Sequence, residues 1–209
     1  MGVRAMTGSH FYPVDDESFT QVLGDIEQSL EPDLRLPNWP FTVAVGNADL
    51  CQFSHAIEGT FGPVLQDLVD GHGDVSVSVV VFDPTPAYYR EHYGSYPAFT
   101  LPGRTIAQTF WGAVSHEPGD DPTGSVAYTA NVVGIAGSSG EWAVWAERSW
   151  DIAIVLSQQS GGTWLSAGVD FVSVETALED FTEPDFKVPL SYQARSAFLD
   201  NIRTRGSLT

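Results

Sequence analysis

An α+β fold is what this 209-residue sequence predicts: an antiparallel meander sheet of about five to seven strands, with helices at both termini covering one face. Three observations carry that reading. Two-residue alternation dominates the second half, helical spacing marks both ends, and the connections between strand candidates from residue 104 to 169 are short.

Taken in order, residues 1–14 show no periodicity and read as a flexible N-terminus, with 15–209 as a single domain. From Asp15 onward, Phe19, Val22, Leu23, Ile26 and Leu30 recur at helical spacing. Asp15, Asp16 and Glu17 place negative charge where a helix dipole favours it. That helix ends before Pro32, and Pro32, Pro37 and Pro40 mark an extended connector carrying Trp39. Phe41 to Gly46 reads as a short strand. Gly62-Pro63 opens a second helix with Val64, Leu65, Leu68 and Val69 inward; Gly71 closes it and leaves His72 in an exposed turn. Val75 to Phe82 begins as alternation and ends apolar on both faces, which places it centrally in the sheet. Thr85-Pro86 caps a tyrosine-rich helical turn that Gly94 stops.

In the second half, Thr105 to Ser115 alternates Ile106, Phe110 and Val114 with Ala107, Trp111 and Ala113, and reads as a strand. Val126 to Ile135 is a second strand. A glycine-rich connector follows, and then two alternating runs, Trp142 to Ala146 and Trp150 to Leu156, separated only by Glu147-Arg148-Ser149. So short a break suits a hairpin, and three tryptophans within it supply much of one core face. Thr163 to Val169, with Trp164 inside, is the last strand. Ser173 then caps a helix with Val174, Ala177, Leu178 and Phe181 inward, and a final helix runs from about Pro189 to Arg205. Patterning shifts near residue 100 from mixed to strand-rich, with no linker long enough to divide the chain.

The hairpin SGEWAVWAERSWDIAIV resembles one found in uncharacterised actinobacterial proteins and in some immunity proteins of bacterial toxin systems. The resemblance is confined to Gly137–Leu156. It implies a small, acidic, cytoplasmic binder that neutralises a cognate toxin without catalysis, and it carries over no functional residue.

Charge is the strongest global property: 27 acids face 9 bases, a formal net charge of −18. Such a field repels phosphate backbones and anionic lipid, which disfavours ordinary nucleic-acid and membrane-surface binding; it leaves solubility, attraction to a basic protein partner, and adaptation to high salt, which the low charged fraction of 17% argues against. Cys51 is the only cysteine, so no disulfide forms within the chain. MGVRAMTGSH lacks the apolar segment of a secretory signal, and the expected location is the cytoplasm.

No constellation of residues announces chemistry. Cys51 and His55, four apart, have the types needed for nucleophilic catalysis or half a zinc site, Asp83 ends a strand, and His116 precedes the acidic loop Glu117–Asp121. These four are what a hydrolase with a dispersed site has available. No catalytic residue, metal or cofactor is assigned. Two stretches have the composition of contact surfaces. One is PAYYREHYGSYP, with Tyr88, Tyr89, Tyr93 and Tyr96; the other is the densest negative run, with Glu175, Glu179, Asp180, Glu183 and Asp185. The expected function is therefore an acidic, non-enzymatic protein-binding module of the immunity or inhibitor kind. The dispersed-site hydrolase and a structural component of a phage or larger assembly are the alternatives.

Overall fold

The computed structural model describes residues 11–43, 46–159, 168–182 and 190–207. Its centre is one sheet in the order β3-β2-β4-β5-β6-β1-β7. Six strands are mutually antiparallel: β1 (Gly46–Gln52), β2 (Ser76–Asp83), β3 (Ala98–Pro102), β4 (Val132–Gly137), β5 (Trp142–Glu147) and β6 (Ile152–Ser157). The two-residue β7 (Gly206–Ser207) adds to β1 in parallel. The consecutive run of neighbours is β4-β5-β6. The place where patterning changes, near residue 100, lies in β3, whose partner β2 pairs on its other side with β4.

Both faces of the sheet are covered. On one, β-strand residues Val77, Val79, Val81, Ile135, Trp142, Val144 and Val155 meet α2 (Gly62–His72) and α4 (Ile106–Val114). On the other, Val80, Phe82, Trp145, Ile152, Ile154 and Leu156 meet α1 (Asp16–Glu27), α6 (Val174–Thr176) with its π-helical continuation Ala177–Thr182, and α7 (Tyr192–Arg205). The helices near the two termini thus share a face, as the sequence predicts, while α2 and α4 make a third layer opposite them. Because successive strand residues point to opposite sides, Trp142 and Trp145 enter different cores, and the hairpin tryptophans serve both faces rather than one.

Local signals place most elements. The Asp15 side chain accepts from Ser18 N and caps α1; the Thr85 side chain caps α3 (Pro86–Tyr93), and that of Ser173 caps α6. Helix α2 runs past Gly71 and ends at Gly73, whose φ of 70° is the left-handed conformation that terminates helices. His72 is therefore a last-turn residue. The hairpin turns through Arg148–Trp150, with Asp151 left-handed at φ 49°.

Several expectations fail for identifiable reasons. Thr105 to Ser115 is α4, not a strand: Ile106, Phe110 and Val114 are spaced by four, which fits either period, and buried Ala113 beside exposed Trp111 decides for the helix. Val126–Thr129 is a single helical turn, α5, and the strand starts only at Val132. The strand expected at Phe41 to Gly46 runs from Gly46 to Gln52 instead, while Phe41 makes an isolated bridge with Leu30. Residues 11–14 are not frayed: Tyr12 is buried and donates to the Ala113 carbonyl at 2.8 Å, and the Pro13 carbonyl accepts from Tyr96 N. Most of the strand expected at Thr163 to Val169 lies outside the described residues, as do Glu183, Asp185 and the start of the last helix at Pro189.

Two of the buried carboxylates, Asp74 and Glu147, bond to core tryptophans. Asp74 accepts from Trp142 Nε1 at 2.6 Å, from Ser138 Oγ at 3.1 Å and from Ser139 N. Glu147 accepts from Leu36 N at 3.0 Å, Ser149 Oγ at 2.9 Å and Trp145 Nε1 at 3.3 Å. Gly137 is required at the first of these, since a Cβ there would sit 2.4 Å from Trp142 Nε1 and 2.5 Å from Asp74 Oδ2. Replacing Asp74 with Ala orphans the buried indole N–H and the Ser139 amide. Urea unfolding is expected to show a loss of about 3 kcal/mol, and a loss under about 0.5 kcal/mol would contradict the assignment.

Candidate functional site

Helix α3 follows the β2 end, started by the Thr85 cap and stopped by Gly94 at φ 76°. One side of a helix this short must face the core, and the four tyrosines divide accordingly. Tyr89 is fully buried and its hydroxyl donates to the Gly124 carbonyl, so it cannot contact a partner. Burial, with Tyr12 and Tyr93 nearby, pushes its phenol above the ordinary range. Tyr96 is committed to α1: its ring stacks on Phe19 at 4.2 Å, and its hydroxyl donates to Asp16 at 2.9 Å and accepts from Arg90 at 2.6 Å. Tyr93 is half-buried, with its hydroxyl 3.3 Å from the Thr123 carbonyl. Tyr88 alone is widely exposed and stacks on His92 with ring centroids 3.8 Å apart.

The contacts of Tyr89 and Tyr93 bind α3 to the loop of residues 117–125, which leads into α5. Asp121 shapes the loop by accepting from Thr123 N at 2.9 Å and Thr123 Oγ1 at 2.7 Å. Tyr128, on α5, is 71% exposed and was missed by composition because its apolar neighbours read as a strand. Glu91, Glu117, Asp120 and Asp121 are exposed around these aromatics. No Lys or Arg occurs between Arg104 and Arg148, and Arg90 is bonded to Asp16 and Tyr96. Arg148, at the end of that gap, donates to the Ala130 carbonyl at 2.9 Å, just after α5.

The second predicted contact stretch behaves differently. Glu175 pairs with Arg203 at 3.1 Å and Glu179 with Arg195 at 3.6 Å, so α7 neutralises α6 and its continuation. Asp180 is exposed there. These acids lie with α1 and α7 on the sheet face opposite to Tyr89 and Tyr93, so the aromatic and acidic stretches do not form one surface.

The residues of a dispersed hydrolytic site stay apart. Cys51 lies in β1 and Asp83 ends β2, four strand spacings or about 19 Å across the sheet. Burial, then the Asp49 charge, pushes the Cys51 thiol up, away from thiolate chemistry. His55 follows β1, and its Nδ1 has no hydrogen-bond partner among the described residues. His116 follows α4 and packs its ring against Phe11 and Tyr12. Among the described residues no group of three or more His, Cys, Asp or Glu could hold a metal ion, and no helix is long and apolar enough to cross a membrane.

One arrangement did not appear in the sequence. Ser157 Oγ lies 2.9 Å from His72 Nε2, and His72 Nδ1 lies 3.0 Å from Glu141 Oε2. The Glu141 carboxylate can only accept, so Nδ1 carries the proton of that bond; in the neutral ring Nε2 then accepts from the Ser157 hydroxyl, whose oxygen also accepts from Gln159 N at 3.1 Å. The bonding order is that of a nucleophile, base and orienting acid. The burial order is the reverse. The acid is half exposed, the imidazole is fully buried and Ser157 is 1% exposed, whereas a nucleophile must face its substrate. The network is a strut joining the end of α2 to the start of β5 and the end of β6.

His72→Ala is expected to lower unfolding free energy by about 2 kcal/mol, and Ser157 is expected to stay unlabelled by a fluorophosphonate probe in the native protein. Labelling that Ser157→Ala abolishes would overturn the structural assignment. Comparison with protein-family models, with curated proteins and with solved structures finds no match, so the hairpin's resemblance gains no support and the functional reading rests on the geometry above.

Proposed function

We propose that this chain is an acidic, non-enzymatic protein-binding module that docks a basic protein on the face formed by α3 and residues 117–128. The observation that carries the reading is the exposure of Tyr88 and Tyr128, on two stretches that the Tyr89 and Tyr93 hydroxyls tie together, alongside exposed Glu91, Glu117, Asp120 and Asp121. Tyrosine supplies contact area with an apolar body and a polar tip, and exposed acids steer a basic partner into encounter. Binding of this kind can occlude the active surface of a toxin or enzyme, which is how an immunity or inhibitor protein acts. The same field disfavours nucleic acid. Burial of the single cysteine suits the reducing cytoplasm, the location we propose.

The test is capture from the native organism's lysate. Immobilised protein is expected to retain one basic protein at about 20 mM salt and to release it at about 500 mM, where surface charges are screened. Tyr88→Ser combined with Tyr128→Ser should reduce retention roughly tenfold, since exposed aromatics act as anchors. Retention that ignores both salt and the double substitution would contradict the proposal.

A further inference from the structure

Beside the α3 face is a cavity of about 230 Å³, bounded by Tyr12, Tyr93, Ser95, His116, Pro118 and Gly119. Ser95 is 6% exposed, and among the described residues its Oγ has no hydrogen-bond partner. A buried hydroxyl left in that state costs free energy, which a donor placed in the cavity recovers. The other hydroxyls of the wall are committed: that of Tyr12 to the Ala113 carbonyl at 2.8 Å and that of Tyr93 to Thr123 at 3.3 Å. What the tyrosines offer the cavity is aromatic surface. The His116 ring, packed 5.1 Å from that of Tyr12, extends it. No Lys or Arg lines the cavity, and exposed Glu117 and Asp120 flank Pro118 and Gly119.

We infer that this cavity receives a lysine side chain of the basic partner, an inference that rests on the binding reading above. The aliphatic stem of lysine lies along aromatic walls, while its ammonium is attracted to ring faces. The ammonium meets Ser95 Oγ, and the exposed Glu117 and Asp120, next to the lining residues Pro118 and Gly119, attract it toward the cavity. Arginine fits less well. Its planar fork seeks a two-point carboxylate, and the buried acceptor here is one hydroxyl oxygen.

The probe is n-butylammonium, the lysine side chain without its backbone, titrated into isotopically labelled full-length protein and followed by amide NMR shifts. Saturable shifts centred on Gly94, Ser95, His116 and Gly119 are expected. The affinity should exceed those of 1-butanol and butylguanidinium by roughly tenfold, and Ser95→Ala should weaken it by roughly tenfold while the spectrum stays dispersed. Should that variant not fold, Glu117→Gln with Asp120→Asn, both on the surface, is expected to weaken binding about threefold. Shifts that do not saturate, that scatter over the acidic surface, or that butanol reproduces would overturn the cavity assignment. Failure here alongside salt-sensitive partner capture removes the lysine pocket and leaves the docking face. Failure of capture with butylammonium still bound at Ser95 removes the docking face instead.

Discussion

The hydrogen bonds between two buried tryptophans and two buried carboxylates constrain this fold more than any other interaction. Strand β5 lies in the interior of the sheet and is apolar on both sides, with Trp142 in one core and Trp145 in the other. Each indole brings an N–H that water cannot reach, and Asp74 and Glu147 supply the acceptors. A buried carboxylate needs several donors in turn. Asp74 recruits Ser138 and Ser139 of the β4–β5 connection, and Glu147 recruits Leu36 of the proline-rich connector. Satisfying two tryptophans thereby fixes one turn and one long connection, at opposite ends of the strand.

A sheet that is apolar on both faces needs two helical layers. The chain meets that need by sending elements near its two ends to one side and α2 and α4 to the other. The α6–α7 side balances its charge internally, through Glu175 with Arg203 and Glu179 with Arg195. On the α3 side Glu91, Glu117, Asp120 and Asp121 are exposed, and Arg90 of α3 bonds to Asp16 of α1 and to Tyr96. Exposed charges of this kind cost little in folding, because they are well solvated, and in the binding role proposed above they steer a basic partner.

How much of this the sequence discloses follows from the range of each interaction. Caps at Asp15, Thr85 and Ser173 involve residues three apart and are legible, as is the alternation of β5 and β6. A spacing of four between Ile106, Phe110 and Val114 is common to strand and helix, and only the burial of Ala113 separates them. The tyrosine-rich stretch is recognisable as a contact candidate, but adjacent helical residues differ by about 100° in direction, so Tyr88 faces solvent while Tyr89 enters the core. His72 reads as an exposed turn residue, because its partners Glu141 and Ser157 are 69 and 85 residues away. The cavity at Ser95 is hidden for the same reason, since its walls come from three separate stretches of chain.

The central claim concerns which face meets a partner, and site-specific photo-crosslinking addresses it most directly. A benzophenone side chain is placed at position 128, on the acidic aromatic face, and in a second protein at position 192, where the tyrosine is also widely exposed but lies on the last helix. Irradiated in native lysate, the first is expected to cross-link to a basic protein and the second to leave that protein unlabelled. Cross-linking from position 192 with none from 128 would contradict the account.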